Sequence, residues 1–161
     1  MKKGFTLIEM AVVLLIIGIL AGIVLRNIAG PTPIARDTRR VGDLRNTAAY
    51  LATYLVKFGQ FPTSSNWVAL ETALRNAGIT DRLPRDPSTG AGYSYYFCSD
   101  IGAVTTAGNP INHFVLQAVL EQTPAQAPRL WETAATSTPG WYCNVTTLPC
   151  NPANREYCII Q

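Results

Sequence analysis

The segment MKKGFTLIEMAVVLLIIGILAGIVL, residues 1–25, decides the fold of this 161-residue chain. Residues 5–25 are 21 positions with one ionisable side chain, Glu9. As a helix that rises about 1.5 Å per residue, this stretch would be roughly 31 Å long, close to the hydrocarbon thickness of a bilayer. The sequence therefore predicts a transmembrane helix near the N-terminus.

The small residue next to the two lysines lies on the unusual side of this stretch. A cleavable secretory signal has its small-residue cleavage site after the apolar run, whereas Gly4 precedes it. We therefore expect the apolar helix to remain in the mature chain. Glu9 would then lie among apolar groups, a costly placement that usually marks function. Cleavage between Gly4 and Phe5 would create an α-amino cation able to pair with Glu9 of the same or a neighbouring chain.

The order Lys-Lys-Gly, Phe-Thr-Leu-Ile-Glu and then an unbroken apolar run resembles the class III signal of type IV pilins and pseudopilins. The resemblance implies that a prepilin peptidase cuts after Gly4 and N-methylates Phe5. It implies that Glu9 neutralises the amino terminus of an adjacent subunit in a homo-oligomeric helical filament. It also implies an inner-membrane assembly platform with a separate ATPase.

The resemblance implies an α+β pilin fold. Its long N-terminal helix, hydrophobic and then amphipathic, packs on a small antiparallel β-sheet with a disulfide-stapled C-terminal region. Many members carry a proline where this chain has Arg26, which leaves the family's kink without its proline. Pro31 and Pro33 follow, and proline disfavours helix before it. We expect a leader at 1–4, a transmembrane and filament-core helix at 5–28, a helix break at 29–34 and a soluble head at 35–161.

Basic residues flank both ends of the apolar stretch. Lys2 and Lys3 favour a cytoplasmic N-terminus, but four arginines just beyond the other end favour the opposite topology. The leader resemblance and the cysteines favour a single-pass protein of the cytoplasmic membrane with its N-terminus in the cytoplasm, and a cell-surface pilus after assembly.

Periodicity predicts the elements of the head. Residues 35–58 read as an amphipathic helix that ends at Gly59, with apolar residues at Val41, Leu44, Ala48, Leu51, Leu55 and Phe58. A second helix is expected up to about Asn76, capped by Ser64 or Ser65. Strands are expected at 93–98, 113–121, 141–145 and 156–160, and loops at 102–112 and 122–140.

The four cysteines are Cys98, Cys143, Cys150 and Cys158. Their spacing does not fit a zinc site, and an even count in an exported domain favours two disulfides. Four cysteines allow three pairings, which the sequence leaves open. Three of them crowd into residues 143–158, so we expect at least one bridge to staple the C-terminal segment.

The head offers no catalytic constellation. His113 lies in a strand pattern without a local nucleophile or orienting acid, so we predict a structural or exposed histidine and no enzyme. Asp100 is the one acid between Asp86 and Glu121, too few for calcium, so we predict no metal and no cofactor. Asn144 starts a glycosylation triplet of low specificity. We expect the tyrosines at 93, 95 and 96 to lie in the sheet core.

The charge of the head is nearly balanced. Removing Lys2, Lys3 and Arg26 from the 13 basic residues, and Glu9 from the 10 acidic ones, leaves ten and nine. This balance argues against nucleic acid as a partner. For the arginines at 36, 39, 40 and 45, we favour a solvated helix face over contact with lipid or with acids of neighbouring subunits.

These observations favour a structural subunit of a type IV pilus-like extracellular filament, assembled through its N-terminal helix. One alternative is a major pseudopilin of a type II secretion system, forming a short periplasmic fibre. Another is a minor or tip pilin for adhesion or DNA uptake. The chain would lie in the membrane before assembly.

Overall fold

The computed structural model describes residues 4–27, 32–88, 92–104, 109–132, 134, 140–145 and 150–161, without the side chains of 23–27. Two compact units make up the chain, Met1–Thr32 and Pro33–Gln161. The described residues of the first unit include helix α1 (Leu7–Asn27). Within the described residues, no helix is both long and apolar enough to cross a bilayer. Of the predicted helix break at 29–34, residues 29–31 lie outside the described ranges, whereas residues 33 and 34 already belong to the next helix, Pro33–Phe58.

The second unit is an α+β head with helices α2 (Pro33–Phe58), α3 (Trp67–Asn76) and α4 (Pro128–Trp131), and one short 3₁₀ turn (Pro152–Asn154). Its strands are β1 (Tyr93–Ser99), β2 (His113–Val119), β3 (Tyr142–Cys143) and β4 (Glu156–Ile160). They form one antiparallel sheet in the order β3-β1-β2-β4. The predicted fold class is therefore confirmed.

Helix α2 begins two residues earlier than the apolar pattern predicted, because Pro33 has a backbone φ suited to the first helical turn. It ends as predicted at Gly59, whose φ of +75° suits glycine and whose N–H donates to Leu55 O at 2.7 Å. Val41, Leu44 and Leu51 are buried in the core beside the sheet. The last member of the predicted stripe, Phe58, is 48% exposed, so the buried face ends before the helix does.

Helix α3 is capped by Asn66 rather than by Ser64 or Ser65. The Asn66 side chain accepts from Ala69 N at 2.9 Å, and the apolar face of Trp67, Leu70 and Leu74 is buried. Asparagine and serine are comparably good caps, so composition alone could not choose among the three.

Strand β2 is the centre of the sheet and pairs with β1 on one side and β4 on the other. Phe114, Leu116 and Ala118, at alternate positions, lie in the main core, and Phe61 meets the Phe114 ring edge-on at 4.8 Å. Val115 and Gln117 on the opposite face are buried as well, which the alternating pattern did not require. A short helix, α4, lies inside the region predicted as a loop at 122–140.

Two disulfides close the sheet's outer parts. Cys98 of β1 bonds Cys143 of β3 directly across the strand pair, and Cys150 bonds Cys158 of β4. Both bridges involve the segment 143–158, so the expected stapling of the C-terminal region is confirmed. Val115 packs between them in a small second core.

Truncating the centre of α2 tests this packing. Leu44 is fully buried, so Leu44→Ala should lower the free energy of unfolding of the Pro33–Gln161 unit by about 2–5 kcal/mol in urea titrations. Val56 lies on the same helix but is 88% exposed, and Val56→Ala should change it by less than about 0.5 kcal/mol. Equal losses for both variants would show that α2 does not pack on the sheet through this face.

Candidate assembly site

The N-terminus of α1 carries a capping box that links Thr6 to Glu9. The Thr6 N–H and hydroxyl donate to Glu9 Oε2 at 2.8 and 2.7 Å, and the Glu9 N–H donates to Thr6 Oγ1 at 3.3 Å. This is the reciprocal Thr-x-x-Glu arrangement that satisfies the first donors of a helix. The Thr-x-x-Glu spacing before an apolar run is a sequence signal for this cap, and we had not predicted the cap from it. The carboxylate of Glu9 thus has local partners on one oxygen.

The described side chains of this helix are not covered by any other described part of the same unit. Every residue from Gly4 to Gly22 is exposed, and Phe5 is 82% exposed. A helix that is apolar on all sides normally lies inside a membrane or a protein core. Single apolar side chains are common on protein surfaces, but a continuous apolar surface of this size marks a site that contacts a membrane or another protein. Gly4 and Phe5, the predicted cleavage residues, are both exposed and precede the helix.

The head is organised around a buried arginine. Arg40 is 2% exposed and lies among three carboxylates: its guanidinium donates to Asp37 at 2.7 Å, to Asp86 at 2.9 Å and to Glu121 at 2.9 Å. Arg36 donates from Nε to Glu121 at 2.7 Å. We expected a solvated arginine face, and for Arg40 that expectation was wrong. A buried charge persists only when it is paired and hydrogen-bonded, as here.

Asp37 continues this network into the backbone. Its carboxylate accepts the N–H groups of Glu121 at 2.9 Å and Gln122 at 2.8 Å, just after β2 ends. The network therefore joins the first turns of α2 to the end of β2 and, through Asp86, to the connection before β1. Two arginines face three carboxylates, so the network has a formal charge of minus one.

The ion pairs shift the ionisation of the carboxylates. Hydrogen bonds from Arg36, and then from Arg40, lower the pKa of Glu121 to about 2 against the effect of desolvation. Partial burial alone would raise the pKa of Asp86, but hydrogen bonds from Arg40 and Ser88 outweigh it and hold that pKa below its ordinary value. Hydrogen bonds, above all to Asp86, raise the pKa of Arg40.

The exposed surface of the head is more basic than its composition, because most of its acids are buried or partly buried. Of the ten basic residues in Pro33–Gln161 eight are exposed, whereas only three of its nine acids are. The exposed bases are Arg39, Arg45, Lys57, Arg75, Arg82, Arg85, Arg129 and Arg155; the exposed acids are Asp81, Asp100 and Glu132. The near-neutral composition thus says little about what the surface attracts.

The remaining candidate residues have structural roles. The ring of His113 stacks on Trp141 at 3.7 Å, and its Nε2 lies 3.9 Å from Asp100. Asn144 accepts the N–H of Phe97 at 3.2 Å and thereby extends the edge of the sheet.

The tyrosines lie in the sheet as expected. Tyr93 and Tyr95 are buried, and their hydroxyls donate to Asp43 and to Pro62 O, each at 2.7 Å. Tyr96 is half-buried. Among the described residues, no cluster of three or more histidine, cysteine or acidic side chains is placed to hold a metal ion. Where three acids do approach one another, the Arg40 guanidinium lies between them.

The chain is similar in sequence to known proteins, both at its N-terminus and over most of its length. Residues 1–25 match the prokaryotic N-terminal methylation motif. The chain is 34% identical to type II secretion system core protein G of Vibrio cholerae over 112 residues, 64% of this chain and 76% of that protein. It is 31% identical to fimbrial protein Q of Moraxella bovis over 144 residues, 87% of this chain and 91% of the relative. No solved structure matches the chain significantly.

Removing the central guanidinium tests the buried network. Arg40→Met should lower the free energy of unfolding of Pro33–Gln161 by about 3–5 kcal/mol, because Asp37 and Asp86 would be left buried without a cation. Arg39→Met is the matched control: Arg39 is 64% exposed and 3.9 Å from Asp43, so the loss should stay below about 1 kcal/mol. An Arg40→Met head as stable as the control would contradict the assigned role.

The network also predicts a direction for acid stability. Glu121 and Asp86 have lowered pKa values in the folded head. As pH falls, the unfolded chain therefore binds more protons than the folded head does. The contribution of these carboxylates to the free energy of unfolding should be fully present above about pH 5. It should decline between about pH 5 and 2, as Glu121 becomes protonated. Glu121→Gln should flatten this decline, and Glu132→Gln, at an exposed acid, should not. Equal slopes for wild type and Glu121→Gln would refute the coupling.

Proposed function

The chain belongs to the type IV pilin and pseudopilin family, and we propose that it is the structural subunit of a type IV pilus-like extracellular filament. The family is structural rather than enzymatic, and the subunit acts by assembling with copies of itself. The observation that carries the proposal is the pair formed by the methylation motif and an apolar helix exposed along its described side chains.

In this proposal the exposed helix has two successive environments. Before assembly, residues 5–28 lie in the cytoplasmic membrane with the N-terminus in the cytoplasm. After the prepilin peptidase removes residues 1–4 and methylates Phe5, the same apolar surface packs against neighbouring helices in the filament core. The inner-membrane platform and a separate ATPase drive this transfer. Both environments remove the same apolar side chains from water, which keeps the transfer energetically feasible.

Glu9 supplies the specificity that apolar packing lacks. Thr6 contacts Oε2 of the carboxylate, and a carboxylate accepts hydrogen bonds on both oxygens. Oε1 can therefore accept a hydrogen bond from the methylated amino group of Phe5 in an adjacent subunit. In apolar surroundings an unpaired amine or carboxylate is costly, so the pairing fixes depth and register between subunits.

A separate observation supports a second candidate function within the family. Several relatives that match over 53–64% of this chain are type II secretion core proteins G, which supports a major pseudopilin of a short periplasmic fibre. The match to fimbrial protein Q covers more of the chain, and the head has two disulfides suited to an extracellular position. We therefore favour the surface pilus.

The role of Glu9 can be separated from its role as a helix cap. Glu9→Gln removes the charge but keeps an acceptor for Thr6, so we expect normal membrane insertion and at least a tenfold loss of surface filaments, the factor that corresponds to about 1.4 kcal/mol. Thr6→Val removes the cap at a cost of about 1 kcal/mol and keeps the charge, so filaments should persist. Filament yield is read by electron microscopy and immunoblotting of sheared material. Wild-type piliation of Glu9→Gln would sink the assigned role.

The cleavage site gives an independent test. Gly4→Leu places a bulky side chain beside the scissile bond, and we expect the leader to remain attached, so that the chain stays in the membrane fraction with the mass of residues 1–161. Gly18→Leu, in the middle of the apolar helix, is the control and should be processed normally. Normal cleavage of Gly4→Leu would show that the site lies elsewhere.

A further inference from the structure

A groove of about 320 Å³ runs between the start of α2 and α4. Its walls are Ile34 and Thr38 from the first turns of α2 and the segment 126–130, which includes Pro128, Arg129 and Leu130. Ile34 is 50% exposed at this place, unlike the buried members of the same helix further along. The groove is thus a mainly apolar surface with one cationic side chain.

The charges around the groove favour an anionic occupant. Arg129 is exposed, and Arg39, next to Thr38, is exposed to 64%. Arg155 is exposed too, and its guanidinium reaches Glu121 O at 3.3 Å, near the same end of α2. Two acids beside the start of α2, Asp37 and Glu121, are already paired with Arg40 and Arg36. Glu132 is the exposed acid in this segment of the described chain.

The position of the groove along the chain selects among anionic ligands. Five residues separate the last residue of α1, Asn27, from the first of α2, Pro33. In the proposed function α1 lies in the bilayer before assembly, so the first turn of α2 follows the membrane segment directly. An apolar groove with an arginine, so close in sequence to the apolar helix, is suited chemically to an acyl chain joined to a phosphate group. Exposed basic side chains near a membrane bind anionic lipids in this way.

We propose that this groove binds an anionic phospholipid in the unassembled subunit. An acyl chain lies along Ile34, Pro128 and Leu130, and the headgroup phosphate accepts hydrogen bonds from Arg129. The proposal rests on the proposed membrane-embedded state. It adds a lipid site on the head that is separate from the apolar helix, and it gives the head a fixed contact with the membrane while the subunit awaits assembly.

Photo-crosslinking in lipid nanodiscs tests this site on the full-length chain. A benzoylphenylalanine replaces Thr38 in the groove or, as a control, Thr53, which is exposed on the same helix. The nanodiscs contain phosphatidylcholine with about one-third phosphatidylglycerol. We expect lipid adducts at position 38 and few at position 53. Phosphatidylglycerol should be enriched about fivefold over its share of the bilayer, the preference that one basic side chain near the surface provides.

Charge variants distinguish lipid binding in the groove from a general attraction of anionic lipids to the basic head. Arg129→Gln should abolish the headgroup preference at position 38, and Arg75→Gln, which removes an exposed arginine at the end of α3, should leave it unchanged. Equal adducts at 38 and 53, or no headgroup preference, would overturn the proposal. Adducts to a second copy of the chain in place of lipid would assign the groove to a subunit interface and would overturn it too.

The same variants distinguish this inference from the proposed function. Glu9→Gln should lose filaments and keep the lipid adducts at position 38, since it does not alter the groove. A chain that forms filaments but gives no adducts would refute only the lipid site. A chain that is never processed and never assembles would refute the proposed function, whatever the adducts show.

Discussion

The head depends on the buried ion network around Arg40. One guanidinium joins the first turns of α2, the turn at Asp86 and the end of β2 at Glu121, which are far apart in sequence. Burying an arginine is costly unless its donors are satisfied, and any displacement of α2 would leave these carboxylates without their cation. Apolar contacts from Leu44 and Leu51 supply most of the attraction between helix and sheet, but they are non-directional. The network therefore fixes the register at which α2 meets the sheet.

The same division between attraction and specificity applies to the N-terminal unit. Apolar side chains on every side of α1 favour burial in lipid and burial among other helices alike, because both exclude water. Among the side chains described in that unit, Glu9 is the one ionisable group, and its satisfaction depends on a particular partner. The capping box meets part of that need within the chain, which lowers the cost of keeping Glu9 in apolar surroundings. In the proposed filament, the amine of a neighbouring Phe5 meets the rest.

The secondary-structure elements that depend on local sequence pattern could be predicted, whereas contacts between residues distant in the sequence could not. The stripe through Val41, Leu44 and Leu51, the end of α2 at Gly59 and most strands were predictable, because periodicity and a positive φ are local properties. The burial of Arg40 was not, since two of its three carboxylate partners lie 46 and 81 residues away. The disulfide pairing stayed open because four cysteines allow three pairings, and α4, with four residues, is too short to show a periodic pattern. At the candidate site, the methylation motif was readable from residues alone, whereas the basic surface emerged only once acids were seen to be buried.

The most direct test of the central claim is the N-terminal mass of the dominant protein in filaments sheared from the cell surface. We predict long filaments made chiefly of this chain, beginning at N-methylated Phe5 and lacking residues 1–4. Recovery of the processed chain only in the membrane fraction would favour the periplasmic pseudopilin fibre instead. A mature chain that still carries Met1 to Gly4 would contradict the proposed assembly mechanism.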